Sequence, residues 1–338
     1  MKSVLRIMWV RTVPAMVLSG TFVFMSISCG PTYPKEKLPE AVQAVCRAEY
    51  GKEVDVIVEG GTMGIYHSMQ GLLDANMGIN QEAWDNISSL ILIASRVVLS
   101  TDADIQFYCV ITQDARMPEV QVVIIKHVND VKLAMYRGIS RSEAFKRTLF
   151  SMNLTPQAQK ERSVEQIFGR MGLAEESRER VLDEFFRSPP ARIRDIGYWR
   201  GRFYLKDVSM PEFLAEQIAN RIKIEFGSEE PFAEDFAYTS SEGKYTKGLD
   251  AKYFLINFQI EGVGDETEKL REKKIRKMLE IASTVVEGYR FEEFDFIVMN
   301  DQVADVRLRV NRSDVYGFDP RRTALHEIVQ APRGYFGF

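Results

Sequence analysis

His326-Glu327-Ile328-Val329-Gln330 begins like a zinc-binding helix, in which two histidines four residues apart share one face and the glutamate beside the first serves as base. Gln330 occupies the second histidine's position, so one face cannot offer two imidazoles to a metal. Glu59-Gly60-Gly61 has the backbone freedom of an anion-cradling loop. Glu261-Gly262 repeats it without basic neighbours in a phosphate-binding order, so a turn at a strand end is the better reading. Asp102 and Asp104 could hold a cation weakly or simply be solvated turn residues. His67 and His127 are isolated in sequence, and no serine-hydrolase elbow, Cys-x-x-Cys pair or P-loop occurs. These residues define no catalytic, cofactor-binding or metal set. Cys46 and Cys109 could form a disulfide in an oxidising compartment, and equally suit a core as small apolar residues.

The third kind of chemistry lies near the N-terminus. Lys2, Arg6 and Arg11 precede a mostly apolar run over 12–27, interrupted by Pro14 and Gly20 and closed by Ser26-Ile27-Ser28-Cys29. A basic, then apolar, then small-residue order is how export signals are built, and the run is shorter than the ~20 residues a spanning helix needs. The segment resembles the signal peptide of a bacterial lipoprotein. Ser28 and Cys29 fit that family's pattern, whereas Ser26 stands where leucine is usual. The resemblance implies cleavage after residue 28 and acylation of the Cys29 thiol. Gly30 after the cysteine is compatible with the outer membrane in a Gram-negative cell. An uncleaved anchor and a plain secretory signal are the competing readings. Pro31, Pro34 and Pro39 predict an extended spacer over 29–39.

Of 44 basic residues three lie in the leader, which holds none of the 48 acidic ones; 41 against 48 gives the remainder a net charge of −7. Such a balance argues against nucleic acid as a partner. The length favours two domains.

Those domains read as an internal duplication. Leu38-Pro39-Glu40 and Met210-Pro211-Glu212 each open an amphipathic helix, stopped at Gly51 and Gly227. Strand-like runs follow at 54–58 and 253–260. Ile93-Ala94-Ser95 with Val97-Val98 is answered by Ile281-Ala282-Ser283 with Val285-Val286. In the first of these helices Trp84, Ile87, Ile91, Ala94 and Val98 share a stripe, with Asn80 placed to cap it. Strand pairs turning near Asp114 and Asp301 come next. Closing helices are signalled by Ser140 with Glu143 and by Asp319 before Pro320. The expected class is α+β: two tandem related modules, 38–150 and 209–330, each running helix, strand, helix, strand, strand, helix, with a small mixed sheet and helices packed on it.

A helical connector is expected over 151–208, with short helices at 165–172 and 174–186 and a tight hairpin about Arg200-Gly201. Residues 331–338 read as a tail. The copies differ most at two insertions. One, 61–79, carries Met63, Tyr66, Met69, Leu72, Leu73 and Met77; it either completes its own core or offers a Met-rich surface to a partner. The other, 227–252, is polar and reads as a flexible excursion.

Together these features predict a lipid-anchored protein of the bacterial cell envelope, working as a non-enzymatic binding or scaffolding component with an envelope protein partner. Two rivals remain: an envelope hydrolase using His67 or His127 with acids between the modules, and a small-ligand or lipid carrier with an apolar cavity of a few hundred Å³ or more.

Overall fold

The computed structural model describes residues 33–74, 78–117, 120–153, 198–199, 202–203, 208–227, 232–264 and 267–328. The leader, Cys29, Met77, the expected connector helices and the C-terminal tail lie outside the described residues.

The fold is α+β with two mixed sheets. The first module runs α1 (Leu38–Tyr50), β1 (Asp55–Glu59), β2 (Thr62–Met69), α2 (Gln81–Val98), β3 (Phe107–Asp114), β4 (Gln121–His127), α3 (Val128–Met135), α4 (Arg141–Lys146) and β5 (Leu149–Asn153). β6 (Tyr198–Trp199) pairs antiparallel with β7 (Arg202–Phe203), within the stretch expected to form a hairpin. The second module runs α5 (Met210–Gly227), α6 (Phe232–Asp235), β8 (Phe236–Lys247), β9 (Lys252–Gly262), α7 (Glu268–Gly288), β10 (Phe296–Asp301), β11 (Val306–Asn311), α8 (Arg312–Val315) and α9 (Leu325–Ile328).

The sheets share one plan. Strand order is β1-β2-β3-β4-β5 in the first and β11-β10-β9-β8 in the second. In each, an antiparallel hairpin is joined through a helix to a second hairpin, and the strands that flank the helix pair in parallel: β2 with β3, β9 with β10. The second unit therefore holds one more strand than the sequence pattern suggested and the first holds two more, β2 and β5; β2 and β8 fall in the supposed insertions. β2 fills most of 61–69. Its Met63 and Ile65 are buried on one face and Tyr66 on the other, and burial on both faces erases the alternation that marks a strand. β8 occupies the supposed polar excursion; exposed Glu242 and Lys244 alternate with buried Ser241 and Gly243 along its middle.

Topology also corrects the alignment of the two modules read from sequence. β1 corresponds to β8, and β2 to β9, so 54–58 and 253–260 are not counterparts. Glu59-Gly60 enters the β1–β2 turn, where Gly60 takes a positive φ of 55° that favours glycine, whereas Glu261-Gly262 ends β9 at the opposite end of its sheet. Beyond this shift the match extends to single hydrogen bonds. Gln106 N donates to Gly61 O at 2.8 Å and Asp295 N to Lys252 O at 2.7 Å; Val128 N donates to Gln106 O at 2.8 Å and Arg312 N to Asp295 O at 2.9 Å. Asp114 and Asp301 each accept on Oδ1 from the amides two and three residues on, closing equivalent turns.

The capping signals at Asn80 and Ser140 hold, each side-chain oxygen accepting from the amide three residues on. The α2 stripe is rotated: Ile87, Ala94 and Val98 are buried with Ala83, Leu90, Ile93 and Val97, while Trp84 lies outward and meets the edge of Phe150. Asp319-Pro320 opens a turn, not a helix; Asp319 O accepts from Arg322 N and Thr323 N, and α9 starts only at Leu325. No helix among the described residues is long and apolar enough to cross a membrane.

The expected extended spacer folds onto the body. Tyr33 pairs with Thr101 and its N–H donates to Ser100 O at 3.2 Å. Lys35 N donates to Asp102 Oδ1 at 2.7 Å, residues Lys35–Lys37 make a 3-10 turn, and α1 begins at buried Leu38 with Pro39 in its first turn, where no N–H is needed.

The elements stack in four layers. α1 and α2 cover one face of the first sheet through Leu38, Val42, Cys46, Leu90, Ala94, Tyr108 and Val110. The other face, with Phe107, Cys109, Ile111, Val123 and Ile125, joins a single core with α5, α7 and the inner face of the second sheet. α5 is consequently buried around its circumference, from Phe213 and Leu214 to Ile222 and Phe226. The second sheet turns Phe254, Ile256, Phe258 and Ile260 inward, and half-buried Tyr253, Leu255, Asn257 and Gln259 outward.

Candidate functional site

The place where titratable side chains gather is the seam between the modules. β4 ends at His127, which precedes α3 and its Asp130; Ser140 caps α4, which supplies Glu143 and leads to Arg147. From the second module come Gln217 and Arg221 on α5 and Tyr289, the C-cap residue of α7. Phe213 wedges among Phe107, His127 and Tyr289, with ring centroids 5.1, 6.1 and 6.1 Å away.

Arg147 is the hub. Its Nη1 donates to Asp130 Oδ1 at 2.9 Å, its Nε to Glu143 Oε1 at 2.7 Å, and its guanidinium lies 4.9 Å over the Tyr289 ring. Arg221 Nη2 donates to the same Glu143 oxygen at 2.6 Å, and Gln217 Nε2 to Arg147 O at 2.5 Å. Tyr289 donates its hydroxyl to Asp130 Oδ2, which also faces His127 Nδ1 at 3.6 Å. A second bridge extends the seam: Glu225 of α5 meets Lys146 at 3.2 Å and Lys277 of α7 at 3.1 Å.

Burial alone would raise the carboxyl pKa values. At Asp130 the close approach of His127 and the hydrogen bonds from Tyr289 and Arg147 outweigh it, and at Glu143 the hydrogen bonds from Arg221 and Arg147 do, so both acids stay below the usual range. Burial and then the Asp130 charge push Tyr289 up; the guanidinium of Arg147 is stabilised by its two carboxylates against its own burial. A general base needs an unoccupied lone pair in reach of substrate. Here Asp130 is held between the Arg147 guanidinium and the Tyr289 hydroxyl and Glu143 between the guanidiniums of Arg147 and Arg221, and the arrangement acts as a clamp. It brings one histidine named from sequence, His127, to one acid, Asp130; Arg147, Arg221 and Tyr289 carried no signal in the sequence, because their partners are up to 159 residues away.

The other sequence-named residues disperse. His67 Nδ1 lies 2.9 Å from Glu53 O, and burial lowers its pKa. His326 is exposed on the short α9. Asp102 serves the backbone of Lys35, and Asp104 is exposed. Cys46 and Cys109 are free and buried, and the disulfide weighed for them is not made. They occupy different cores on opposite faces of the first sheet. Burial pushes the Cys46 thiol up to about 11 and raises Cys109 as well. Of the supposed partner loop, Met63, Tyr66, Leu72 and Leu73 are buried core and Met69 is half-buried against it. The described part of that segment completes its own module, with Met63, Tyr66, Leu72 and Leu73 in its cores.

Two adjoining hollows flank the start of β10. One of ≈ 590 Å³ is lined by Glu292, Asp295, Asn311, Arg312, Ser313 and Tyr316, and one of ≈ 470 Å³ by the 247–252 turn and residues 292–295. Charged and polar linings of this kind do not suit a lipid cargo. Compared with protein-family models, curated proteins and solved structures, the chain matches none of them.

Proposed function

We propose that this chain is a bacterial envelope lipoprotein, acylated at Cys29, whose two modules form a rigid, non-enzymatic binding or scaffolding platform for an envelope protein partner. The observation that carries the platform reading is the seam: where His127 meets Asp130, that acid and the neighbouring Glu143 are spent on Arg147, Arg221 and Tyr289, joining the modules instead of facing a substrate. The anchor reading is supported by the leader ending in Ser28-Cys29. The shared strand order, register and turn chemistry support descent of both modules from one helix-strand-strand-helix-strand-strand-helix unit.

The test is purification of the native protein from membranes. Intact mass should show acyl groups on Cys29, and cross-linking should capture a partner at fixed stoichiometry. His127→Ala should lower the thermal midpoint, because it removes a ring packed on Phe107, Phe213 and Tyr289, and should keep the captured partner. A His127→Ala protein that folds normally yet abolishes a cellular phenotype of the wild type would overturn the non-enzymatic reading, and an unmodified Cys29 would overturn the anchor.

A further inference from the structure

The position of the chain just after Cys29 decides which part of the molecule can approach a membrane. Only residues 30–32 separate the cysteine from Tyr33, and four Cα steps reach at most roughly 14 Å. Tyr33 is fastened to Ser100 and Thr101, and Lys35 to Asp102, in the connection between α2 and β3. That connection belongs to one end of the layered stack. The β1–β2 turn is beside it, since Gly61 O accepts from both Gln106 N and Phe107 N, and Phe107 is paired with His127 at the end of β4.

The second module presents its corresponding end on the same side. Tyr289, at the C-terminus of α7, reaches Asp130 two residues into α3. The chain then runs to Asp295, whose N–H donates to Lys252 O and whose Oδ2 accepts from Lys252 N at 2.7 Å. Lys252 closes the β8–β9 turn, and at its tip Leu249 is fully exposed. Leu249, at the apex of a two-strand projection, is the most exposed large apolar side chain among the described residues; Met135 and Tyr136, where α3 ends, are exposed too. The β3–β4 and β10–β11 turns lie at the other end, the latter beyond a six-residue strand of about 20 Å.

We infer that the end of the molecule carrying the Tyr33 attachment and the Leu249 turn lies against the lipid bilayer, with Leu249 as the side chain that enters it. This rests on the acylated-Cys29 reading. Asp250, Glu292, Glu293 and Asp295 outnumber Lys247, Lys252 and Arg312 around the tip, so contact depends on the acyl chains and the leucine, and not on anionic headgroups.

Full-length acylated protein carrying Leu249→Cys or Val303→Cys, each labelled with a thiol-reactive bimane, tests the orientation. Cys46 and Cys109 are buried and Cys29 is blocked by its lipid, so the label goes to the introduced thiol. In phosphatidylcholine vesicles containing spin-labelled lipid, the label at 249 should lose emission and the label at 303 should not, with the same result when anionic lipid is added. Equal loss at both positions, or loss only at 303, overturns the orientation while leaving the anchor standing. Dependence of the 249 signal on anionic lipid overturns the assigned contact. A mass measurement showing free Cys29 removes the anchor and the orientation with it.

Discussion

At the scale of single residues, Asp114 and Asp301 show how one side chain does the same work in two settings. Each closes its turn through Oδ1, but Asp114 Oδ2 accepts from the Leu72 amide at 2.8 Å, whereas Asp301 Oδ2 meets the Lys274 ammonium at 2.7 Å. Lys274 is 0 % exposed and also donates to Ile260 O. Asp301→Asn keeps an acceptor for the turn and strands a buried ammonium, so it should cost about 3–5 kcal/mol in urea unfolding, the range for breaking a buried pair. Adding Lys274→Met should recover much of that loss. Asp114→Asn, with a neutral amide opposite, should cost less. A larger loss for Asp114→Asn would contradict this account of the two sites. Both aspartates were visible from sequence as turn residues. Lys274 was not, because a lysine in the run Glu272-Lys273-Lys274 reads as a solvated helix face until the sheet beneath it is known.

Among the elements, helices were the most legible, since caps and proline–glycine punctuation are local. The strands that escaped notice were β5, the edge strand of the first sheet, and two whose residues hide their period: β2, buried on both faces, and β8, whose buried middle positions are Ser241 and Gly243. β8 also shows the tightest contact between elements. A Cβ on Gly243 would lie 1.8 Å from Ala215 O, and Ser241 Oγ donates to Ala219 O at 2.7 Å, so α5 rests directly on the strand backbone. Gly243→Ala must push helix and strand apart. The expected loss is at least about 1–3 kcal/mol, the usual cost of overpacking, read as a lowered thermal midpoint. An unchanged midpoint would mean that α5 does not sit where the structure places it.

For the whole molecule, the seam makes the two modules one body, and its strength depends on pH. Asp130 and Glu143 have folded pKa values below the unfolded range near 4. Their contribution is complete above that range and is lost as pH falls through the depressed folded values. Stability should therefore decline below about pH 4, and Asp130→Asn should flatten that decline. Thermal midpoints between pH 3 and 7 provide the measurement; an equally steep acid loss in the variant would show that other groups control it. The sequence by itself determined the α+β class and many of the caps and turns, because these depend on neighbours a few residues apart. Tertiary structure alone decided that Cys46 and Cys109 face different cores, that residues 33–37 are fastened to the body, and that His127, Asp130, Arg147 and Tyr289 meet. Those facts arise from stacking a sheet on a distant helix layer, and no local pattern along the chain encodes which faces come together.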